Sequence, residues 1–76
     1  MEKIIGEFEK SETEKIIIQV KEFKGRTYVD FRLHYLADED EWRPTQKGMT
    51  VAPPLWEEFK HLVEETNDYL KAQELI

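Results

Sequence analysis

Cations and aromatic rings interleave through the middle of this 76-residue chain. The run Lys21-Glu22-Phe23-Lys24-Gly25-Arg26 is followed by Arg32, Tyr35, Trp42, Arg43 and Lys47. Such a mixture suits a flexible polyanion that carries flat rings. Bases of a single strand stack on aromatic side chains at roughly 1–3 kcal/mol each, while lysine and arginine track its phosphates. The candidate stacking residues are Phe23, Tyr35 and Trp42. The candidate phosphate contacts are Lys21, Lys24, Arg26, Arg32, Arg43 and Lys47. Each has a plainer reading. Phe23 could belong to a core, Lys21, Lys24 and Arg26 to a solvated surface, and Arg32 to a pair with Asp30 or a helix carboxylate. Lys47 could simply guard an edge strand, as edge lysines often do. Phe23 stands beside Lys24-Gly25 and shares a face with Gln19 and Lys21, which favours exposure.

A formal charge of −6 opposes a polyanionic ligand until its distribution is read. Residues 1–14 carry two bases against five acids, residues 15–47 seven against six, and residues 48–76 two against six. Four of the middle acids fall together at Asp38, Glu39, Asp40 and Glu41. Outside that cluster the middle is basic. Local potential, rather than net charge, is what a phosphate meets.

The elements that must position these residues follow from periodicity. Ile4, Ile5 and Phe8, with Gly6 between them, predict a short strand with a bend over Met1 to Phe8, and Lys10 to Glu14 reads as a polar turn. Lys15 to Phe23 is rich in β-branched residues and reads as a strand. Lys24-Gly25 makes the tight connection, because glycine accepts the positive φ of a hairpin turn. From Arg26 to Leu36 the chain alternates. Val29, Phe31, Leu33 and Tyr35 point one way, and Arg26, Tyr28, Asp30, Arg32 and His34 the other. Ala37 to Glu41 is an acidic turn. Trp42 to Val51 is a fourth strand, with Pro44 placing it at an edge or a bulge, and Gly48 permits a close backbone approach.

After Ala52-Pro53-Pro54 the period changes. Leu55, Phe59, Leu62, Val63, Thr66, Tyr69 and Leu70 recur at helical steps, opposite Glu57, Lys60, Glu64, Asp68 and Lys71. The expected fold is α+β: a four-stranded antiparallel sheet followed by one C-terminal amphipathic helix, in one domain over residues 1–76. The helix stripe is expected to seal one sheet face and leave the cationic face open.

Composition bounds the rest. Cysteine is absent, which removes disulfides and thiolate chemistry, and the spacing of His34 and His61 fits no common metal motif. A chain this short has a thin core and usually needs a staple, and a second copy is the one left over. His61 and Trp56 read as structural, and Tyr28 and His34 as secondary contacts at most. No apolar run approaches the roughly 18 residues of a membrane span, and Met1 to Gly6 is too short and charged for a secretory signal. The expected compartment is the cytoplasm, associated with the nucleoid in a bacterium. No nucleophile–base pair, phosphate loop or metal spacing points to catalysis, so neither an enzyme nor a cofactor is expected.

Four segments carry a resemblance: Lys21 to Arg26, Val29-Asp30-Phe31-Arg32, Trp42 to Met49, and Pro53-Pro54-Leu55-Trp56. In this order and spacing, over about Lys15 to Leu70, the chain resembles the positive cofactor four family of transcriptional coactivators. The resemblance implies a curved antiparallel sheet, a C-terminal helix, a homodimer and binding of single-stranded DNA without chemistry. It matches Phe23 to a stacking aromatic, Lys24, Arg26, Arg32 and Lys47 to phosphate contacts, and Tyr35 to a position held by tryptophan in the eukaryotic coactivator. Gln46 and Glu14 stand where basic residues are expected, which implies weaker phosphate affinity. The serine-rich regulatory tail is absent, so the chain is similar to the compact bacterial or viral members. The expected function is sequence-independent binding of single-stranded DNA, with RNA as a second ligand, in transcription, replication or repair. Transcription machinery is a candidate partner. The alternative is a dimeric protein-interaction adaptor on the same scaffold.

Overall fold

The computed structural model describes residues 2–76. Four strands run in chain order across one antiparallel sheet: β1 (Lys3–Ser11), β2 (Glu14–Phe23), β3 (Arg26–Asp38) and β4 (Glu41–Val51). A 3-10 turn over Pro53–Leu55 leads into the helix α1 (Trp56–Ala72). The fold is the expected α+β arrangement. The first strand pairs within its own sheet, from Lys3 opposite Val20 to Ser11 opposite Glu14.

All three hairpins close through two residues. Ser11 pairs with Glu14, Phe23 with Arg26, and Asp38 with Glu41. At the second hairpin both turn residues take positive φ, 52° at Lys24 and 76° at Gly25. That pair of left-handed conformations matches the twist of the flanking strands. It puts a lysine, not only the glycine, in the strained part of the turn.

β2 and β3 pair without interruption from Phe23–Arg26 to Glu14–Tyr35. Strict alternation therefore sorts their side chains onto two faces. The edge strands are irregular. β1 shifts register between Ile4 and Gly6, and again between Glu9 and Ser11. β4 shifts against β3 between Arg32 and His34. Such shifts bend and coil a strand locally. Gly48 lies at the β4 irregularity, where a Cβ would collide with the carbonyl oxygen of Phe31. The close approach expected there is to the neighbouring strand.

The helix departs from expectation. Trp56 stacks on Phe31 with centroids 6.4 Å apart, and Phe59 tilts against both rings at 5.4 Å. Beyond this first turn the apolar stripe is largely exposed. Leu62 is 54% exposed and Tyr69 63%, and the helix buries no residue fully. The stripe does not seal the sheet face. Glu57 and Glu58 in the first turn and Lys71 in the last oppose the helix dipole favourably. The helix ends in a Schellman motif: Glu74 takes φ 58°, and the Leu75 amide donates to the Leu70 carbonyl at 2.9 Å.

Among the described residues the buried apolar side chains are Ile17, Leu33 and Val51. Ile5, Phe8 and Met49 stay open on the strands. Ile5 lines an apolar hollow with Ile18, Val20, Val29 and Trp56. The core is thin, as the chain length requires.

Candidate nucleic-acid interface

The face opposite Phe31 carries the predicted cationic residues of β2 and β3. Lys21 stands directly across from Tyr28, and Phe23 across from Arg26. Phe23 is 64% exposed, so its reading as a core residue fails. The Lys24 ammonium lies 5.3 Å from the centre of the Phe23 ring. Lys21, Lys24 and Arg26 make no ion pair among the described residues. Together with Glu22, Tyr28, Asp30 and Thr50, the side chains of Lys21 and Phe23 line an open groove of about 390 Å³. The arrangement offers a flat apolar ring, mobile positive charge around it and room beside it. A base could stack on Phe23 while the cations meet its phosphates.

Arg32 sits further along β3 and is already engaged. Its Nη2 donates to Asp30 Oδ1 at 2.7 Å, its Nε to Oδ2 at 3.4 Å, and its Nη1 to the Gln46 carbonyl at 3.1 Å. Asp30 is 4% exposed. The Asp30 carboxylate raises the Arg32 guanidinium above its ordinary pKa, so Arg32 stays charged and paired. His34 is buried next to it. Its Nδ1 lies 3.1 Å from the Arg32 carbonyl, so it donates there in a structural role.

Trp42 pairs across from Leu36, on the same face as Arg32 and His34. Arg26 and Leu36 are ten residues apart on one strand, which puts Trp42 roughly 33 Å from Phe23. Its ring is occupied. The Lys15 ammonium lies 4.4 Å from the ring centre and 3.1 Å from Glu7 Oε1. Lys15 lies outside the predicted set, and it is the strand register, directly opposite His34, that brings it to this face. Tyr28, given a minor role from the sequence, lines the groove beside Phe23.

Tyr35 and Arg43 pair with each other across β3 and β4. Tyr35 shares the alternation of Phe31, so both point away from the Phe23 groove. Arg43 donates to Glu41 Oε1 at 3.0 and 3.2 Å. Lys47, in the irregular part of β4, is exposed and without an ion pair among the described residues. The structure thus gathers Lys21, Phe23, Lys24 and Arg26 at the second hairpin. It spreads Arg32, Trp42 and Lys47 along the same sheet and sets Tyr35 and Arg43 on its other face.

His61 pairs with Glu65 at 3.2 Å on the helix surface. Among the described residues no group of three His, Cys, Asp or Glu converges as metal ligands, and no helix is long and apolar enough to cross a membrane.

Residues 10–62 match the family model described as Transcriptional Coactivator p15 (PC4). Two crystal forms of a PC4 homolog from Burkholderia pseudomallei superpose with a TM-score of 0.79. One is 29% identical over 86% of this chain and 88% of that one. The other is 28% identical over 88% and 98%. A bacteriophage T5 homolog of the eukaryotic coactivator PC4, implicated in recombination-dependent DNA replication, is 28% identical, with a TM-score of 0.59. The similarity covers 99% of this chain and 81% of the phage protein. With the family model spanning most of the chain and the same sheet and helix in these relatives, the chain belongs to the transcriptional coactivator p15 (PC4) family.

Proposed function

We propose that the chain binds single-stranded nucleic acid, DNA first and RNA second, with little regard to sequence. The observation that carries this reading is the exposed Phe23 ring among Lys21, Lys24 and Arg26, which make no ion pair among the described residues, beside an open groove. Free charge and a bare ring at one place are what a stacked, phosphate-tracking strand requires. Family membership supports the same reading, and the phage relative supports a place in replication as readily as in transcription. Lys47 adds a phosphate contact along the strand, and Trp42 a second ring at its far end. Duplex binds less well, because its bases stay stacked within the helix.

The working form is a homodimer. A helix stripe including Leu62, Val63 and Tyr69 is exposed, and so are Ile5 and Phe8 on the strands. Apolar surface of that extent is stabilised by a second copy that covers it. Residues 1–76 act as one binding unit within it.

The test is fluorescence anisotropy with an oligo-dT of about 20 nucleotides, across salt concentrations, with a duplex control and light scattering for the oligomeric state. Tight, salt-steep, strand-selective binding by a dimer supports the reading. With four to six phosphates engaged, the log–log slope is near −0.7 for each contact. A dimer that ignores the oligonucleotide at low salt would favour the adaptor reading. The exposed acids Glu57, Glu58, Glu64, Glu65 and Asp68 on α1 supply the surface for that alternative.

A further inference from the structure

Between Arg32–Gly48 and His34–Pro44, three residues of β4 stand opposite one residue of β3. Thr45, Gln46 and Lys47 therefore loop out against Leu33. A three-residue excursion at a sheet edge is expected to be loose. This one is tied at successive residues. The Thr45 hydroxyl donates to the Leu33 carbonyl at 2.8 Å and accepts the Lys47 amide at 3.1 Å. The Gln46 carbonyl accepts from Arg32 Nη1 at 3.1 Å. Gly48 closes the loop against the same arginine, since a Cβ there would stand 3.0 Å from Arg32 Cζ.

Arg32 therefore holds β4 with one arm while the rest of its guanidinium forks onto Asp30. Its side chain is 22% exposed, and its charge is matched by a carboxylate that is 5% exposed. A phosphate reaching Arg32 would compete with that carboxylate. Lys47, at the end of the tied loop, has no such competitor among the described residues.

We propose that Arg32 is a positioning residue rather than a phosphate contact: with Thr45 it fixes the Thr45–Lys47 loop and so presents the Lys47 ammonium to the backbone of a bound strand. The inference rests on the nucleic-acid reading above. A lysine on a loose loop would have to be ordered at the moment of binding, at an entropic penalty that the tied loop has already met.

Four variants test it: Arg32→Lys, Thr45→Val, Lys47→Ala and the double Arg32→Lys/Lys47→Ala. Each is checked for an unchanged circular dichroism spectrum and titrated with oligo-dT over a range of salt. Lys47→Ala should flatten the log–log slope by about 0.7, the loss of one single-strand contact. Arg32→Lys keeps the charge but loses the fork, and should bind about fivefold more weakly. Thr45→Val, which leaves the Arg32–Asp30 pair intact, should weaken binding similarly. The double variant should bind within about twofold of Lys47→Ala, because both changes remove one contact.

Hydrogen exchange supplies a readout independent of the ligand. The Lys47 amide should exchange about tenfold faster in Arg32→Lys and Thr45→Val, while β2 amides keep their protection. Full multiplication of the two single losses in the double variant would overturn the proposal, as would wild-type binding by Arg32→Lys. Unchanged Lys47 exchange would overturn the clamp alone. Absence of binding by the unaltered chain would overturn Lys47's role together with the nucleic-acid reading, a different outcome from loss of the clamp.

Discussion

The two ends of the cationic face hold the same residue types in opposite states. At the second hairpin Lys21, Lys24 and Arg26 surround Phe23 and pair with no acid among the described residues. Towards the third hairpin the comparable cations have partners, with Lys47 on the looped part of β4 the exception among the described residues. Lys15 lies between Glu7 and Trp42, Arg32 forks onto Asp30, and Arg43, on the reverse face, reaches Glu41. A cation already matched by a carboxylate gains little from a phosphate, because the two anions compete for the same donors. The face is therefore better read as a free end and an internally satisfied end than as one uniform basic strip.

The largest effect should come from emptying the free end. Replacing Lys21, Lys24 and Arg26 together by alanine should weaken oligo-dT binding at low salt about a hundredfold or more and flatten the salt slope by about 2. An unchanged slope in that titration would place the phosphates elsewhere. Phe23→Ala comes next. It should reduce affinity by about tenfold or more, in line with roughly 1–3 kcal/mol per stacked base, with the slope preserved. Because the ring is exposed, the melting temperature should barely move, and a large drop would return Phe23 to the core.

At the satisfied end the consequences shift from binding to stability. Arg32→Ala leaves the buried Asp30 carboxylate without its fork and should lower unfolding free energy in urea by about 1–3 kcal/mol, discounted for the partial exposure of Arg32. Stability equal to wild type would mean that solvent replaces the arginine freely. The smallest change sharpens the contrast most directly. Glu7→Gln removes the acid from Lys15 and should convert a paired cation into an available one. Affinity should rise about twofold, with a slope steeper by up to about 0.7. A fall in affinity would show that Glu7 serves to hold the Lys15–Trp42 contact in place for binding.

The difference in legibility between β2–β3 and the helix has a physical origin. The β2–β3 pair repeats every two residues without interruption, so alternation from Arg26 to Leu36 assigned each side chain to a face. It also placed Tyr35 with Phe31, against its inclusion beside Phe23. The Lys24-Gly25 turn was readable because few dipeptides tolerate two successive positive φ values. The helix was readable as an element and from its 3.6-residue stripe, yet not in its placement. An amphipathic stripe records that apolar surface will be covered, not by what. Here Trp56 and Phe59 meet the sheet at Phe31, while Leu62 and Tyr69 stay more than half exposed. The β4 loop was foreshadowed by Pro44 and Gly48 without its register.

By itself the sequence determined the element order, the two-residue hairpin and the basic character of the middle segment, and it favoured the exposure of Phe23 without deciding it. All of these depend on local backbone preference or on alternation along one strand, which neighbours in the chain encode. Only the tertiary structure decided which cations are free. Lys15 meets Glu7 eight residues away, and Arg32 meets the Gln46 carbonyl fourteen away, across strand pairs whose register depends on bulges at the sheet edges. Charge is written in the sequence, but its availability is set by which carboxylate or carbonyl the fold brings within about 3 Å.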